Sequence, residues 1–443
     1  MKIVIIGGVA AGMSAASKIK RTDPDAEVVV YEKGNFLSYG ACGLPYYVSG
    51  ANDDYTKMIA RTREQFAEAG IRTYLRHEVL KVAPDRKQIM VKDLDQGGVF
   101  LDWYDKLMIA TGTVPIVPKI GGVQLDGVHV LKTLDDGIAL KEAVASPNVR
   151  DVVIVGGGYI GIEVAEAMVE LGKRVRVVEM ADRILTPFDK EITDIATQEL
   201  IRHNVGLNLG EKVEEIVGSG RVQAVRTDKG VYPADLVVLA VGVRPATDFL
   251  AGSGIRLARN GAVVTDREMR TSAADVYAAG DCAEVYSRVM EENTFIPLAT
   301  TANKLGRMVG VNLLGKHDKF VGTLGSAAIK VLGLEMARTG MSEADARRLA
   351  VDYGTVFVTA MDHPKYYPDP TPIHFKLIYD KSSKVLLGAQ GIGPKGVVLR
   401  IDIFAVAIHN RMTAREMGMV DLCYAPPFAG VWDAVHIACN AVK

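Results

Sequence analysis

The sequence predicts an α/β protein: two Rossmann-like units, then a C-terminal α+β unit. Three observations predict it. Short, mostly apolar runs ("KIVII", "EVVVY", "DVVIV", "VRVVE") precede or follow glycine turns, as strands buried on both faces of a parallel sheet require. Each pair of runs encloses a small-residue stretch at helical spacing. Beyond the polar connector "LLGKHDKFVG" the pattern changes to longer strands, "YGTVFVTAM" and "PIHFKLIYD", and an apolar helix, "GVVLRIDIFAVAIHNRM", whose broad apolar face wants a partner surface.

The first unit runs from residue 2 to 33. Its turn carries Gly7, Gly8 and Gly12, a helix of small residues follows, and Glu32 ends the second strand, where a dinucleotide fold needs a carboxylate for a ribose hydroxyl. The fit to G-x-G-x-x-G is imperfect, because Val9 stands in the middle place, and a generic tight turn is the rival reading. The second unit, "DVVIVGGGYIGIEVAEAMVELGKRVRVVEM", is clean: Gly156, Gly158 and Gly161 are in register and Glu179 ends its strand. Such glycines let main-chain N–H groups approach a pyrophosphate at a helix N-terminus. Two units imply two dinucleotides. Two more buried strands end in small turns, "DKLMIATG" at Ala110, Thr111 and Gly112, and "TSAADVYAAGDC" at Gly280 and Asp281.

The 443 residues leave room for roughly two to four domains. A net charge of −1 favours neither nucleic acid nor a membrane surface as partner. Four cysteines are too few for a disulfide framework, so a cytoplasmic, reducing location is expected. The βαβ pattern continues through the first twenty or so residues, which argues against reading them as an export signal. The histidines show no metal-ligand spacing, and no metal is expected.

Taken in order, the two loops, the Ala-Thr-Gly turn and the Gly-Asp pair resemble the two-dinucleotide flavoprotein disulfide reductases. The resemblance implies an FAD domain over about 1–114 and 247–322, an NAD domain at about 115–246, and a dimerisation domain over 323–443. It implies FAD contacts at Gly7, Val9, Ala10, Ala11, Gly12, Glu32, Lys33, Val79, Ala110, Thr111, Gly112, Gly280, Asp281, Pro297, Leu298, Ala299 and Thr300. The nicotinamide nucleotide, NADH before NADPH, falls to Gly156, Gly158, Tyr159, Ile160, Gly161, Glu163, Glu179 and Gly242.

Within "LSYGACGLPYYVSG", Cys42 has no partner at the spacing of a redox pair. The following helix and a flavin ring would both favour its thiolate. One cysteine must alternate between thiolate and mixed disulfide, or sulfenate. Peroxidases and oxidases of this family carry a histidine in the first loop; here Ala10 and Ala11 stand there. The chain is most similar to the coenzyme A-disulfide and persulfide/polysulfide reductases, through Cys42–Tyr46, Tyr366-Tyr367-Pro368 and Tyr424-Ala425-Pro426-Pro427. That branch implies a homodimer whose active sites are shared, with Tyr424 and one of Tyr366 and Tyr367 reaching across to the cysteine. It also implies coenzyme A held by Arg21, Ser38 and Tyr39, although an Arg at a helix end also serves as a solvated C-terminal charge. The small-molecule substrate is then a disulfide, persulfide or polysulfide. With no fused rhodanese domain, sulfur is expected from a separate protein or free polysulfide. Two rivals stand beside this reading: an NADH oxidase, and a redox-sensing flavoprotein with slow turnover. Cys282 and Cys423 are expected as packing residues, and His436 on a helix surface.

Overall fold

The computed structural model describes residues 1–443. Its first sheet has five parallel strands in the order Val276–Ala278, Lys106–Ile109, Lys2–Ile6, Glu27–Tyr31, Ile71–Tyr74. Ile3, Val4 and Ile5 are wholly buried because helices cover this sheet, which is why the run carries no polar alternation. Ile6 pairs with both Tyr31 and Ile109, so Gly7, Glu32 and Ala110 emerge together at one edge.

The second sheet repeats the plan, in the order Gly206–Leu209, Arg174–Glu179, Asp151–Val155, Leu236–Leu239, Val128–His129. Val155 pairs with Val178 and Leu239, which brings Gly156, Glu179 and Ala240 to the equivalent edge. The chain leaves the first sheet along Thr113–Pro115 and returns along Val243–Pro245, and these two segments pair antiparallel.

The helix Ala299–Asn312 lies directly on the helix Ala10–Thr22. A Cβ on Gly306 would stand 2.3 Å from the Ala11 carbonyl oxygen, so only glycine permits this approach. The approach sets the 297–300 segment beside the first glycine loop.

The last sheet is antiparallel, in the order Ala327–Val331, Leu334–Gly340, Leu386–Gly393, Pro372–Asp380, Tyr353–Met361. The helix Val397–His409 packs on it through Val397, Ile401 and Phe404, leaving Leu399 and Val406 exposed. This sheet is tied to the second unit by buried charge. Lys376, 1% exposed as a side chain, meets Asp189, Glu191 and Glu343, and Gln390 bonds both the main chain and the carboxylate of Asp189. No helix is long and apolar enough to cross a membrane.

Candidate active site

Both glycine loops are built on one steric plan. Gly7 (φ +105°) and Gly156 (φ +112°) sit where a Cβ would come within 2.2 Å of the Ala110 oxygen and 2.3 Å of the Ala240 oxygen. A Cβ on Gly12 or Gly161 would strike the carbonyl of Gly7 or Gly156 at 1.9 and 2.0 Å. The middle place differs: a Cβ on Gly158 meets nothing within 4 Å. Val9 therefore interrupts the fingerprint without disturbing the turn. Neither following helix has a side-chain cap, which leaves the first-turn N–H groups of Ala10, Ala11 and Gly12, and of Tyr159, Ile160 and Gly161, free of side-chain acceptors.

Each loop also anchors its carboxylate. Glu32 accepts from the N–H groups of Gly8 and Gly34, both at 2.7 Å. Glu179 accepts from Gly157 at 2.6 Å and Ala181 at 2.7 Å. A carboxylate has about four acceptor positions, so lone pairs remain for ribose hydroxyls. Lys33 beside Glu32 is exposed, and Val79 is buried in the first core at a strand irregularity.

Around the first loop, Gly112 (φ +65°) follows Thr111, whose hydroxyl is buried without a partner. Gly280 (φ +86°) brings its backbone against Ala11, and Asp281 beside it is held above the usual carboxylate range by burial, opposed by Lys132 at 3.6 Å. Leu298 caps the Ala299–Asn312 helix with no side-chain bond; Pro297 is half-buried, and Ala299 and Thr300 are exposed. An orphaned hydroxyl, an uncapped helix start and a half-buried acid around a glycine cradle fit the expected flavin. Gly242 (φ +115°) edges the second loop with only the Ile116 methyl near it.

Cys42 lies in the 3-10 turn Ala41–Gly43, leading into the six-residue helix Leu44–Ser49, and its side chain is exposed. That helix packs against Tyr159–Glu170, the helix of the second loop. The chain's own groups hold the Cys42 thiol above its ordinary range. Partial burial raises the Cys42 pKa, the charges of Glu163 and Asp281 raise it further, and Lys132 lowers it. These carboxylates come from segments remote in sequence. Glu163 is itself pushed up to about 7 by burial and by Glu166. Tyr159 is pushed to about 12 by burial, with its ring against Phe188 at 6.0 Å.

Ser38, at φ +49°, donates its N–H to the Gly8 oxygen (2.9 Å), which fixes the Cys42 loop to the first glycine loop. Tyr39 is half-buried beside it and pushed up to about 12, by burial first and then by Glu32. Arg21 is exposed on the last helical turn and donates to the Ser17 oxygen at 3.1 Å, the contact of a solvated C-terminal charge.

Tyr366 and Tyr424, both exposed, join their hydroxyls at 3.0 Å. Tyr367 instead packs its ring edge-on to His363. Two expectations are corrected. His436 is buried, not on a surface: it accepts from the Asp433 N–H at 3.1 Å and its other nitrogen meets the Val420 oxygen at 2.8 Å. Cys423 is exposed, because its segment forms a loop outside the core. Cys282 is buried, its thiol 3.5 Å from the oxygens of Ile109 and Ala279. Lys132 was not found from sequence. It stands in a connector between sheet and helix, where no local pattern links it to Asp281.

Residues 1–306 match the family model for pyridine nucleotide-disulphide oxidoreductase, and residues 326–435 match that family's dimerisation domain. The chain is 40% identical to the NAD(P)H sulfur oxidoreductase (CoA-dependent) of Pyrococcus abyssi, over 100% of this chain and 98% of the relative. It resembles the crystal structure of reduced Bacillus anthracis CoADR-RHD with a TM-score of 0.96 and 34% identity, over 100% of this chain and 80% of that one. The water-forming NADH oxidase of Lactobacillus brevis, bound to NADH, is equally similar in fold, with a TM-score of 0.96 and 33% identity over 100% of this chain and 98% of the oxidase.

Proposed function

Because the chain belongs to the pyridine nucleotide-disulphide oxidoreductase family, we propose that it is an NADH-dependent FAD enzyme reducing coenzyme A disulfide, coenzyme A persulfide or polysulfide through Cys42. The observation that carries the reading is an exposed, unpaired cysteine in the turn leading into a helix that packs against the second glycine-loop helix, within the field of Asp281 from the first unit. Residues 1–114 and 247–322 form the FAD unit, 115–246 the NADH unit and 323–443 the dimerisation unit. The side-by-side crossing at Thr113–Pro115 and Val243–Pro245 supports that division.

Gly7 to Gly12, Glu32, Thr111, Asp281 and the 297–300 segment hold FAD. When bound, it supplies two-electron transfer between dihydronicotinamide and a sulfur bonded to Cys42. Gly156 to Gly161, Glu163, Gly242 and Glu179 hold NADH. The Cys42 thiolate attacks one sulfur of RS–SR, forms Cys42–S–SR and expels RS⁻. A phenol of the Tyr366–Tyr424 pair, reaching from the partner subunit, gives that thiolate a proton. Two electrons from NADH then cleave the mixed disulfide and restore the Cys42 thiolate. The sum is RSSR + NADH + H⁺ → 2 RSH + NAD⁺. Ser38 and Tyr39 flank the thiol end of coenzyme A. Arg21 lies about 16 Å along its helix from the glycine loop, which suits the phosphate-bearing end of an extended ligand.

The test is NADH consumption without air, with and without coenzyme A disulfide, and then with air alone. Cys42→Ser is expected to abolish disulfide reduction while NADH still bleaches the flavin. Normal disulfide turnover in that variant overturns the reading. The likeness to the Lactobacillus oxidase favours O₂ reduction as the second reading, and consumption with air alone at full rate selects it.

A further inference from the structure

Two loops of the C-terminal unit carry the tyrosine pair, and they are joined at two places. At their tips, Tyr366 and Tyr424 share a hydrogen bond. At their bases stands Arg400, a nearly buried cation on the otherwise apolar inner face of the Val397–His409 helix. Its Nη2 donates to the Asp362 oxygen at 2.9 Å, at the base of the Tyr366 loop. The same nitrogen donates to the Phe428 oxygen at 3.1 Å, four residues past Tyr424. Asp433 takes Nε at 3.1 and 3.0 Å and Nη2 at 2.8 Å, and Nη1 returns to the Gly396 oxygen at 2.9 Å.

The anchoring continues on both sides. Asp362 closes the Tyr366 loop by exchanging bonds with Thr371, at 2.7 and 2.9 Å, and His363 reaches the Pro368 oxygen at 3.0 Å. Asp433 caps the Ala434–Asn440 helix through Val435, and His436 holds Val420, so the Tyr424 loop is fixed before and after the tyrosine. The tips themselves are open: Tyr366 is 73% exposed and Tyr424 46%. Apart from their shared bond, the phenols' placement depends on the bases of their loops.

We propose that Arg400 is a positioning residue for disulfide cleavage, setting the separation of the Tyr366 and Tyr424 hydroxyls by binding both loops with one guanidinium. The proposal rests on the assignment of the tyrosine pair as proton donor. In that step the phenol's proton passes to the expelled thiolate, and the O–H of the neighbouring phenol stabilises the phenolate until solvent returns the proton. The planar fork is what the geometry needs. A lysine at 400 has one nitrogen with three N–H groups, too few to hold Asp433, the Gly396 oxygen and both loop carbonyls at once as the guanidinium does.

The experiment is a double-mutant cycle on the holoenzyme, reading anaerobic turnover of coenzyme A disulfide, the rate of flavin bleaching by NADH, and dimer mass. Arg400→Met is expected to lower turnover about tenfold, with bleaching within about twofold, and to cost nothing further in a Tyr424→Phe background. Arg400→Lys is expected between the two, and it carries the same comparison if Arg400→Met does not fold. Effects of Arg400 and Tyr424 that multiply, or bleaching that falls in parallel with turnover, overturn the proposal while leaving the tyrosines their role. A silent Tyr424→Phe overturns the tyrosine assignment and the Arg400 proposal with it.

Discussion

The phenolic oxygens of Tyr366 and Tyr424 stand 3.0 Å apart, joining the two tyrosine motifs of the C-terminal unit through one hydrogen bond. Tyr367, the other tyrosine of its motif, faces His363 instead, so the pairing favours Tyr366 as Tyr424's partner.

Tyr424→Phe is expected to slow coenzyme A disulfide turnover by roughly 10²-fold, the lower range for losing a general acid, with flavin bleaching and dimer mass unchanged. Mixing it with Cys42→Ser adds a test of sharing between subunits. Hybrid dimers should regain one intact site; verified hybrids that stay inactive count against a shared site.

After burial, the Glu163 charge is the largest cause that raises the Cys42 pKa. Its charge raises the thiol pKa, so Glu163→Gln should move the pH midpoint of Cys42 alkylation downward. Because Glu163 titrates at about 7, the native profile should also flatten near neutral pH, as each step in Glu163 ionisation opposes Cys42 ionisation. An unchanged or raised midpoint in the variant refutes the coupling.

Glu179, held by Gly157 and Ala181, ends the strand at which the proposed NADH site would receive the adenine ribose and exclude a 2′-phosphate. Like charges at ~4 Å in an effective dielectric near 20 cost up to ~4 kcal/mol, so a preference of roughly two decades for NADH is expected. The side chain of Arg183, near Asp182, would soften the repulsion. Equal kcat/KM for NADH and NADPH would reject the assignment.

Lys376→Met should destabilise the protein by about 3–5 kcal/mol, because it leaves the buried Asp189 carboxylate without its cation, while Glu343 keeps only the Arg347 cation. Denaturant unfolding measures it. The acid limb adds a sign: Glu343 is held at about 2, despite burial, by bonds from Lys376, Arg347 and Tyr353. A depressed carboxylate contributes stability that is full above its unfolded value near 4.5 and is lost as pH falls toward 2. Removing Lys376 raises the Glu343 pKa, so acid unfolding of the variant should begin at higher pH. A midpoint that does not move refutes the link.

The strands Tyr353–Met361 and Pro372–Asp380, the glycines at 7, 12, 156 and 161, and the acids Glu32 and Glu179 were all legible in the sequence. The glycines answer to a local constraint, since a positive φ or a carbonyl under 2.5 Å from Cβ requires glycine, and the strands to their β-branched and aromatic composition. Cys42 stood out as a lone thiol among small residues, and its exposure depends on those near neighbours. The charge around it was not legible, because Glu163, Asp281 and Lys132 arrive from three separate segments, the two acids raising its pKa and the lysine lowering it. His436 was read as a surface residue because seven residues of helix do not reveal what packs on them; Asp433 and Val420 close over it only in the fold. Arg400 was hidden for the same reason, as one cation in an apolar helix. Sequence alone determined the glycine loops and singled out the lone cysteine, since backbone sterics act between near neighbours. Tertiary structure alone decided the pairing of Tyr366 with Tyr424 and the charges around Cys42, since hydrogen bonds and charge act across distances in space that sequence separation does not record.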